Sequence, residues 1–252
     1  AGTSSSSALT VNWINALGLI SDQHQHLPAF IAAKLAHQAE VLEFGEPGGM
    51  MDHFATAYGN VIHISFAPRV FIQKLPVLSG NFVLGNSGQP KNTKRILEHV
   101  KNRILNLIDK IRSNHPEFNL HLVASSELET YGSGLNQEEK KLLWGVVENR
   151  DITATALNLY CNELIDPPQI GKLLSRQQDI LRNILKISTP KIDRMITAAL
   201  KAGAYGAKIN GSGGGGCMFA YAPENTKAVV EAIEREGGES AVIHIESGTE
   251  VK

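Results

Sequence analysis

Two carboxylate residues of this chain flank a turn made of small residues. Glu40 precedes Asp52 by twelve positions, and residues 45–49 between them have the sequence GEPGG. Phosphoryl transfer to an alcohol needs hard oxygen ligands for Mg²⁺ and a carboxylate near the acceptor hydroxyl. Glu40 suits the first role, and Asp52 suits the second as a base or hydroxyl-orienting group. Spacing alone favours a simpler alternative, in which Glu40 is a solvated helix residue and Asp52 caps the following helix.

A second feature is a run of nearly bare backbone, GAKINGSGGGGC, at residues 206–217. Because glycine has no side chain, the backbone N–H groups of Gly211, Ser212, Gly213 and Gly214 can approach phosphate oxygens closely. The stretch matches neither the GxxxxGK[ST] phosphate loop nor a GxGxxG that follows a strand and opens a helix. Strand-like sequence on both sides argues against a flexible linker. The pattern therefore predicts a phosphate-binding site of moderate specificity.

The chain opens with a small, hydroxyl-rich loop that leads directly into an apolar helix. Leu9, Trp13 and Leu17 recur at helical spacing. Hydroxyl groups at the N-terminus of such a helix can cap it and form an anion site. A linker or tag remnant has a similar composition, so that alternative stays open. The loop residues that could contact a ligand are Gly2, Thr3, Ser4, Ser5, Ser6 and Ser7.

Composition and charge exclude several classes of protein. Apolar residues make up 42% of the 252 positions and charged residues 19%, which is typical of a soluble globular protein. A formal net charge of −1 predicts no attraction to nucleic acid or to an anionic membrane. Cys161 and Cys217 lack metal-ligand spacing, so we expect free thiols in a reducing compartment. With no apolar stretch of 18 residues, the sequence predicts a soluble cytoplasmic protein.

Hydrophobic periodicity places these features on an irregular succession of helices and strands. Helices are expected near residues 8–17, 27–44, 50–58, 93–112, 137–160, 169–186, 191–202 and 224–236. Strands are expected at residues 61–66, 82–84, 217–221 and 241–245. Strands scattered among helices favour an α+β fold. The closing order of strands and helices favours a ferredoxin-like domain.

Four collinear motifs resemble those of the GHMP kinases, the galactokinase and mevalonate kinase superfamily. Residues 2–7 are similar to the GLGSSA loop that wraps the ATP phosphates in that family. Residues 39–59 resemble the galactokinase stretch in which a magnesium glutamate precedes a catalytic aspartate. Residues 185–193 resemble the VSTPELD signature. Residues 206–217 resemble GAKLTGAGGGGC, which closes over the nucleotide phosphates and the substrate.

The resemblance implies an ATP- and Mg²⁺-dependent kinase that phosphorylates a sugar hydroxyl, as galactokinases do. Asp52 would be the catalytic residue, and Glu40 and Ser6 would hold magnesium. Gly49 and Asp52 would contact the small-molecule substrate. The serine loop and the glycine loop would both donate backbone N–H groups to the phosphates.

The same resemblance implies two lobes with the ATP cleft between them. Residues 1–76 would be the remainder of the N-terminal lobe, and residues 77–252 the ferredoxin-like C-terminal lobe. The family's first motif is absent, and a complete enzyme would need roughly a hundred further residues ahead of Ala1. We therefore expect the helix carrying Trp13 and Ile20 to expose apolar surface that a complementary N-terminal segment would cover.

Two departures from the galactokinase pattern put galactose in doubt. His53 stands where galactokinases usually have Gln, and residues 85–93 lack their tyrosine-bearing stretch. Mevalonate kinase-like chemistry on an isoprenoid alcohol is the alternative within the enzyme class, because residues 206–217 are at least as close to that branch. A non-catalytic sensor of ATP and sugar is the alternative outside it. The presence of both Glu40 and Asp52 argues against a sensor.

Overall fold

A computed structural model describes residues 2–22, 24, 26–91, 93–162 and 165–250. The helices are α1 (Ser5–Ile20), α2 (Ala29–His37), α3 (Met51–Tyr58), α4 (Thr93–Arg112), α5 (Leu128–Tyr131), α6 (Gln137–Cys161), α7 (Pro167–Asn183), α8 (Pro190–Lys201) and α9 (Thr226–Arg235). A π-helical turn at Gln38–Leu42 continues α2, and a 3₁₀ turn at Ser125–Glu127 precedes α5. The strands are β1 (Val61–Ser65), β2 (Phe71–Leu75), β3 (Phe82–Asn86), β4 (Gly206–Ile209), β5 (Cys217–Tyr221) and β6 (Glu239–Ile243). Within these ranges, no helix is both long enough and apolar enough to span a bilayer.

The larger part of the molecule is built on a four-stranded antiparallel sheet with the order β4-β5-β3-β6. If these strands are numbered 1 to 4 along the chain, their spatial order is 2-3-1-4, which is the ferredoxin-like arrangement. The connection from β3 to β4 contains α4 to α8, and α9 connects β5 to β6. The predicted α+β class and the ferredoxin-like lobe are confirmed. The strand-like sequence before the glycine run forms β4, whereas β2 was not predicted as a strand.

Helices α8 and α9 cover one face of this sheet. Apolar residues recur at helical spacing on α8, and Ile192, Met195, Ile196 and Ala199 are all buried. Thr189 caps the helix, because its Oγ1 accepts a hydrogen bond from the Ile192 N–H at 3.3 Å. The resulting core is continuous with buried residues of α4, α6 and α7.

The first three helices and the β1–β2 hairpin form a second, smaller cluster, here called the N-terminal unit. The buried apolar residues that pack together in its core are Val11, Ala33, Ala36, Phe54 and Ala57. The predicted boundary between lobes at residues 76 and 77 lies between β2 and β3, and the boundary itself stays a prediction.

Helix α1 presents its larger apolar side chains to solvent. Leu9, Trp13 and Ile20 are 71%, 62% and 73% exposed, whereas the buried residues of α1 are Ser7, Val11 and Asn15. The chain was expected to expose apolar surface on this helix, and the structure shows that surface as a stripe along one side of α1. We call Leu9, Trp13, Leu17 and Ile20 the α1 stripe.

The end of the described chain returns to the N-terminal unit and pairs with α3. The Asn60 N–H donates to the Glu246 carbonyl at 2.6 Å, and the Thr249 N–H donates to the Thr56 carbonyl at 3.1 Å. The backbones approach so closely that a Cβ on Gly59 would lie 1.9 Å from a backbone nitrogen of the returning segment. Residues 246–249 therefore tie the C-terminal sheet to α3.

Candidate active site

Glu40 is the point at which α1, the π-helical turn and α3 meet. Its carboxylate accepts a hydrogen bond from Nε2 of His53 at 2.7 Å, and the hydroxyl groups of Ser6 and Ser7 lie close enough to interact with it. Burial raises the pKa of Glu40, but the two serine hydroxyl groups and His53 outweigh burial and leave that pKa lowered. Glu40 is thus an ionised carboxylate and not the solvated helix residue of the simpler alternative. The predicted pair of metal ligands, Ser6 and Glu40, is brought together.

A buried pair of histidines lies behind this carboxylate. His53 is 1% exposed, and its ring packs edge-to-face against the ring of His37 with centroids 5.4 Å apart. Burial and the neighbouring His53 lower the pKa of His37, while a hydrogen bond to the Gly48 backbone and the charge of Glu40 act in the opposite direction. Sequence reasoning noted His53 only as a departure from the family pattern and did not find His37. Neither residue matches a metal-binding spacing, so no local signal could have paired them.

Asp52 lies in the first turn of α3, directly after the glycine turn that includes Gly49. The residue at the N-cap of α3 is Met50, so Asp52 does not cap the helix. Asp52 is half-buried, and in the described part of the chain its carboxylate has no hydrogen-bond or ion-pair partner. A carboxylate in this state can accept a hydrogen bond from an incoming hydroxyl. Gly49 is exposed at the same turn.

The two phosphate-loop candidates, which are about two hundred residues apart in sequence, are in contact. The side-chain amide of Asn210 donates to the Gly2 carbonyl at 2.6 Å. A Cβ on Gly2 would lie 3.0 Å from the backbone nitrogen of Cys217, so the serine loop lies against the end of the glycine loop. Ser4 is the N-cap of α1, and this sixteen-residue helix directs the positive end of its dipole toward both loops.

The glycine loop keeps its shape through backbone hydrogen bonds and conformations that suit only glycine. Gly213 has a φ of 74°, and a Cβ there would lie 2.4 Å from the Ile187 carbonyl. The Gly214 N–H donates to that same carbonyl at 2.7 Å. The N–H groups of Gly211, Ser212 and Gly213 have no partner among the described residues. Those three N–H groups remain available for a ligand, whereas that of Gly214 holds the loop.

The stretch at residues 185–193 supports the glycine loop from behind. Its Ile187 carbonyl receives the bond from Gly214, and its Ser188 hydroxyl donates to Asp193 at 2.5 Å. Gln178 on α7 is almost fully buried and accepts a hydrogen bond from the Ile209 N–H at 2.9 Å. The motif therefore has a scaffolding role, which sequence alone did not distinguish from ligand binding.

Lys91 is a site residue that sequence reasoning missed. It lies in the loop after β3, which is held against the glycine loop: the Ser87 hydroxyl donates to the Gly216 carbonyl at 2.7 Å, and the Gly216 N–H donates to the Gln89 carbonyl at 3.1 Å. The Lys91 ammonium consequently lies 3.3 Å from the Ser212 hydroxyl. A lysine in a polar loop carries no signal until strand pairing places that loop beside the glycines.

These groups together suit a polyphosphate with a hard divalent cation. A helix N-terminus, three unpaired backbone N–H groups and the Lys91 ammonium can neutralise phosphate oxygens. The Glu40 carboxylate and the Ser6 hydroxyl are oxygen donors, which Mg²⁺ prefers over nitrogen and sulfur. The donor set therefore fits Mg²⁺.

The chain is similar in sequence to a GHMP kinase family model and to mevalonate kinases. The family model described as "GHMP kinases C terminal" matches residues 158–239. The mevalonate kinase of Thermococcus gammatolerans is 31% identical to this chain, and that of Thermococcus onnurineus is 30% identical. Each alignment covers 97% of this chain but 63% of the relative. The chain thus spans just under two thirds of the length of these relatives.

Solved structures show the same fold. Lactococcus lactis galactokinase complexed with galactose superimposes with a TM-score of 0.75 at 20% identity, covering 97% of this chain and 66% of that one. The L. major mevalonate kinase in complex with R-mevalonate superimposes with a TM-score of 0.65 at 18% identity, covering 97% of this chain and 67% of that one. At these identities the likeness concerns the fold and does not separate one acceptor from another.

Proposed function

This chain belongs to the GHMP kinase superfamily, and we propose that it transfers the γ-phosphate of ATP to a hydroxyl group of a small molecule with Mg²⁺ as cofactor. The observation that carries this proposal is the contact between the serine loop and the glycine loop at the N-terminus of α1, beside the Ser6–Glu40 pair. Phosphoryl transfer is catalysed mainly by positioning and by electrostatic stabilisation, and these elements supply both.

The surroundings of each site residue support a particular role in phosphoryl transfer. The N–H groups of Gly211, Ser212 and Gly213 bind phosphate oxygens, together with the serine loop. Glu40 and Ser6 hold Mg²⁺, which when bound offsets charge on the transferred phosphoryl group. Asp52 accepts a hydrogen bond from the acceptor hydroxyl and orients or deprotonates it.

Lys91 contributes a positive charge beside the N–H groups of the glycine loop. Its ammonium already lies at Ser212, the middle residue of the three with free N–H groups. A phosphate oxygen bound there would replace a neutral hydroxyl partner with an ionised one, and charge-assisted hydrogen bonds are the stronger kind.

For the acceptor, the sequence relatives favour mevalonate or a related alcohol over the sugar that the motifs predicted. The relatives at 30–31% identity are mevalonate kinases. The galactokinase likeness, with a TM-score of 0.75, supports a sugar as the second candidate. Both candidates require the same machinery, so they differ only in what occupies the space next to Asp52 and Gly49.

The test is a panel of acceptors incubated with ATP and Mg²⁺, with ADP release and phosphorylated product both measured. The panel contains mevalonate, galactose, arabinose, fucose and a heptose phosphate, and the Asp52→Asn protein is the matched control. Turnover on mevalonate alone would support the first candidate, and turnover on a sugar alone the second. Binding of ATP without turnover on any acceptor, by a protein supplied with any complementary segment it needs, would overturn the kinase proposal in favour of a sensor.

We further propose that a complementary polypeptide covers the α1 stripe. The relatives extend beyond the 63% of their length that this chain spans, and the stripe carries large apolar side chains on an otherwise folded helix. Expressed alone, the 252-residue chain is expected to bind a hydrophobic dye, to aggregate and to lack activity. Vigorous activity of a monodisperse isolated chain would contradict this.

A further inference from the structure

We infer that His53 is a positioning residue, which holds the Glu40 carboxylate in the orientation that binds Mg²⁺. The inference rests on the proposed function, because the orientation of the Glu40 carboxylate matters for activity only if that carboxylate binds Mg²⁺. It concerns a residue that does not touch substrate and that acts through its neighbour.

The first step is the hydrogen bond between His53 and Glu40. Nε2 of His53 lies 2.7 Å from Oε2 of Glu40, and an imidazole that binds a carboxylate donates its N–H to it. The serine hydroxyls approach the same carboxylate from α1. Glu40 thus has polar neighbours on two elements that are not its own, and its side chain cannot rotate far without losing the hydrogen bond to His53.

The second step is that packing alone does not require an imidazole at this position. His53 is 1% exposed, and its Nδ1 is buried without a hydrogen-bond partner among the described residues. Burying a polar atom unpaired is unfavourable, and an apolar side chain would avoid the cost. The hydrogen bond that His53 donates to Glu40 offsets the cost of burying Nδ1 without a partner.

The third step is that the imidazole is itself held in place. His37 packs edge-to-face against His53 at 5.4 Å, and it hydrogen-bonds the backbone of Gly48 in the turn before α3. Because His53 directly follows Asp52, the bond also fixes the turn that carries Asp52 relative to Glu40. Residues that orient metal ligands in this way typically change metal affinity by about 10–100-fold when they are lost.

The experiment measures binding of Mn²⁺ in the presence of ATP by electron paramagnetic resonance, which reports free Mn²⁺ and needs no turnover. The variants are His53→Leu, which removes the donor, and His53→Gln, which keeps an N–H at a similar reach. Glu40→Gln and the Glu40→Gln/His53→Leu double variant complete a mutant cycle. His63→Leu is the matched control, because it makes the same change at a histidine of β1 that also has a buried Nδ1.

We expect His53→Leu to weaken Mn²⁺ binding by about tenfold or more, and His53→Gln to restore most of the affinity. In the Glu40→Gln background, His53→Leu should cost nothing further. Equal loss in the Leu and Gln variants, or a full additional loss in the double variant, would overturn the inference. If Glu40→Gln itself leaves Mn²⁺ binding unchanged, the metal site of the proposed function fails instead.

A measurement on the unaltered chain protects the test against a His53→Leu protein that does not fold. The ¹⁵N chemical shifts of the His53 ring report which nitrogen carries the proton. We expect a protonated Nε2 whose resonance shifts when Mg²⁺ and ATP are added. An unprotonated Nε2, or a resonance indifferent to Mg²⁺ and ATP, would overturn the inference without any substitution.

Discussion

The C-terminal sheet and the N-terminal unit are packed to different degrees. The core of the sheet contains large side chains from five helices and the strands, with Met195, Ile196, Met218 and Ile233 almost fully buried. The core cluster of the N-terminal unit contains five buried apolar residues, of which three are alanines, while Trp13 lies outside it. Yet Glu40, Asp52 and the serine loop all belong to the N-terminal unit. The larger hydrophobic core and the two candidate carboxylates, Glu40 and Asp52, therefore lie in different parts of the molecule.

The largest expected effect comes from a substitution that removes the proposed catalytic carboxylate and leaves both hydrophobic cores unchanged. Asp52→Asn should lower kcat by about 10²–10⁴-fold, because a base at the acceptor hydroxyl is lost. ATP affinity and the unfolding midpoint should stay close to those of the unaltered protein, since Asp52 has no protein partner among the described residues. Steady-state kinetics and calorimetry check the two halves. A kcat reduced less than about tenfold, well short of that range, would move the catalytic role elsewhere.

The converse substitution lowers the stability of the fold and leaves the candidate site residues unchanged. Met195→Ala should lower the free energy of unfolding by about 2–5 kcal/mol, because a fully buried side chain between α8 and the sheet leaves a cavity. Urea denaturation followed by circular dichroism measures this. Val11→Ala is the counterpart in the N-terminal unit and should lower the free energy of unfolding less, since it removes fewer side-chain atoms. A larger loss from Val11→Ala would contradict the difference in packing.

A third change tests the point at which the C-terminal sheet reaches the site. Lys91→Met should raise the dissociation constant for ATP roughly tenfold or more, because a charged hydrogen-bond donor is worth about 1.5–3 kcal/mol. Lys94→Met is the control, since Lys94 is exposed and pairs with Glu46 at 3.3 Å. Isothermal titration with ATP distinguishes them. Equal effects of the two substitutions would show a general loss of positive charge and no specific contact.

The smallest expected effect concerns the α1 stripe. Trp13→Gln should change the free energy of unfolding of the isolated chain by less than about 0.5 kcal/mol, because the side chain is 62% exposed. The same variant should aggregate less, as seen by light scattering. A loss of more than about 1 kcal/mol, beyond the usual range for surface positions, would show that Trp13 is already covered in the isolated chain.

Local patterns were sufficient to predict most helices and the ferredoxin-like order of the sheet. Periodic segments such as α4 and α8 have one clear apolar face, and turn residues separate them. One strand was not predicted. β2 contains Gln73 and Lys74 in its middle and shows no strong alternation. It forms a hairpin with the neighbouring strand β1.

The site residues that belong to contiguous sequence motifs were predicted. The site residues that reach the site only through contacts between distant segments were missed. Glu40, Ser6 and the two loops are contiguous patterns, and the structure brings them together. Lys91 and His37 became visible only when strand pairing and helix packing placed them next to Ser212 and His53. Helix α1 also buries Ser7 and Asn15 and exposes Trp13, because the side facing Glu40 must carry the hydroxyl groups.

The return of the chain to α3 has a consequence for synthesis on the ribosome. Thr249 contacts Thr56 across 193 positions, which translation at 5–20 residues per second separates by roughly 10–40 s. Throughout that interval, the end of α3 has been made but the backbone that pairs with it has not. The N-terminal unit therefore cannot complete its contacts as an early cotranslational intermediate. Its helices must wait for residues 246–249, which are synthesised after them.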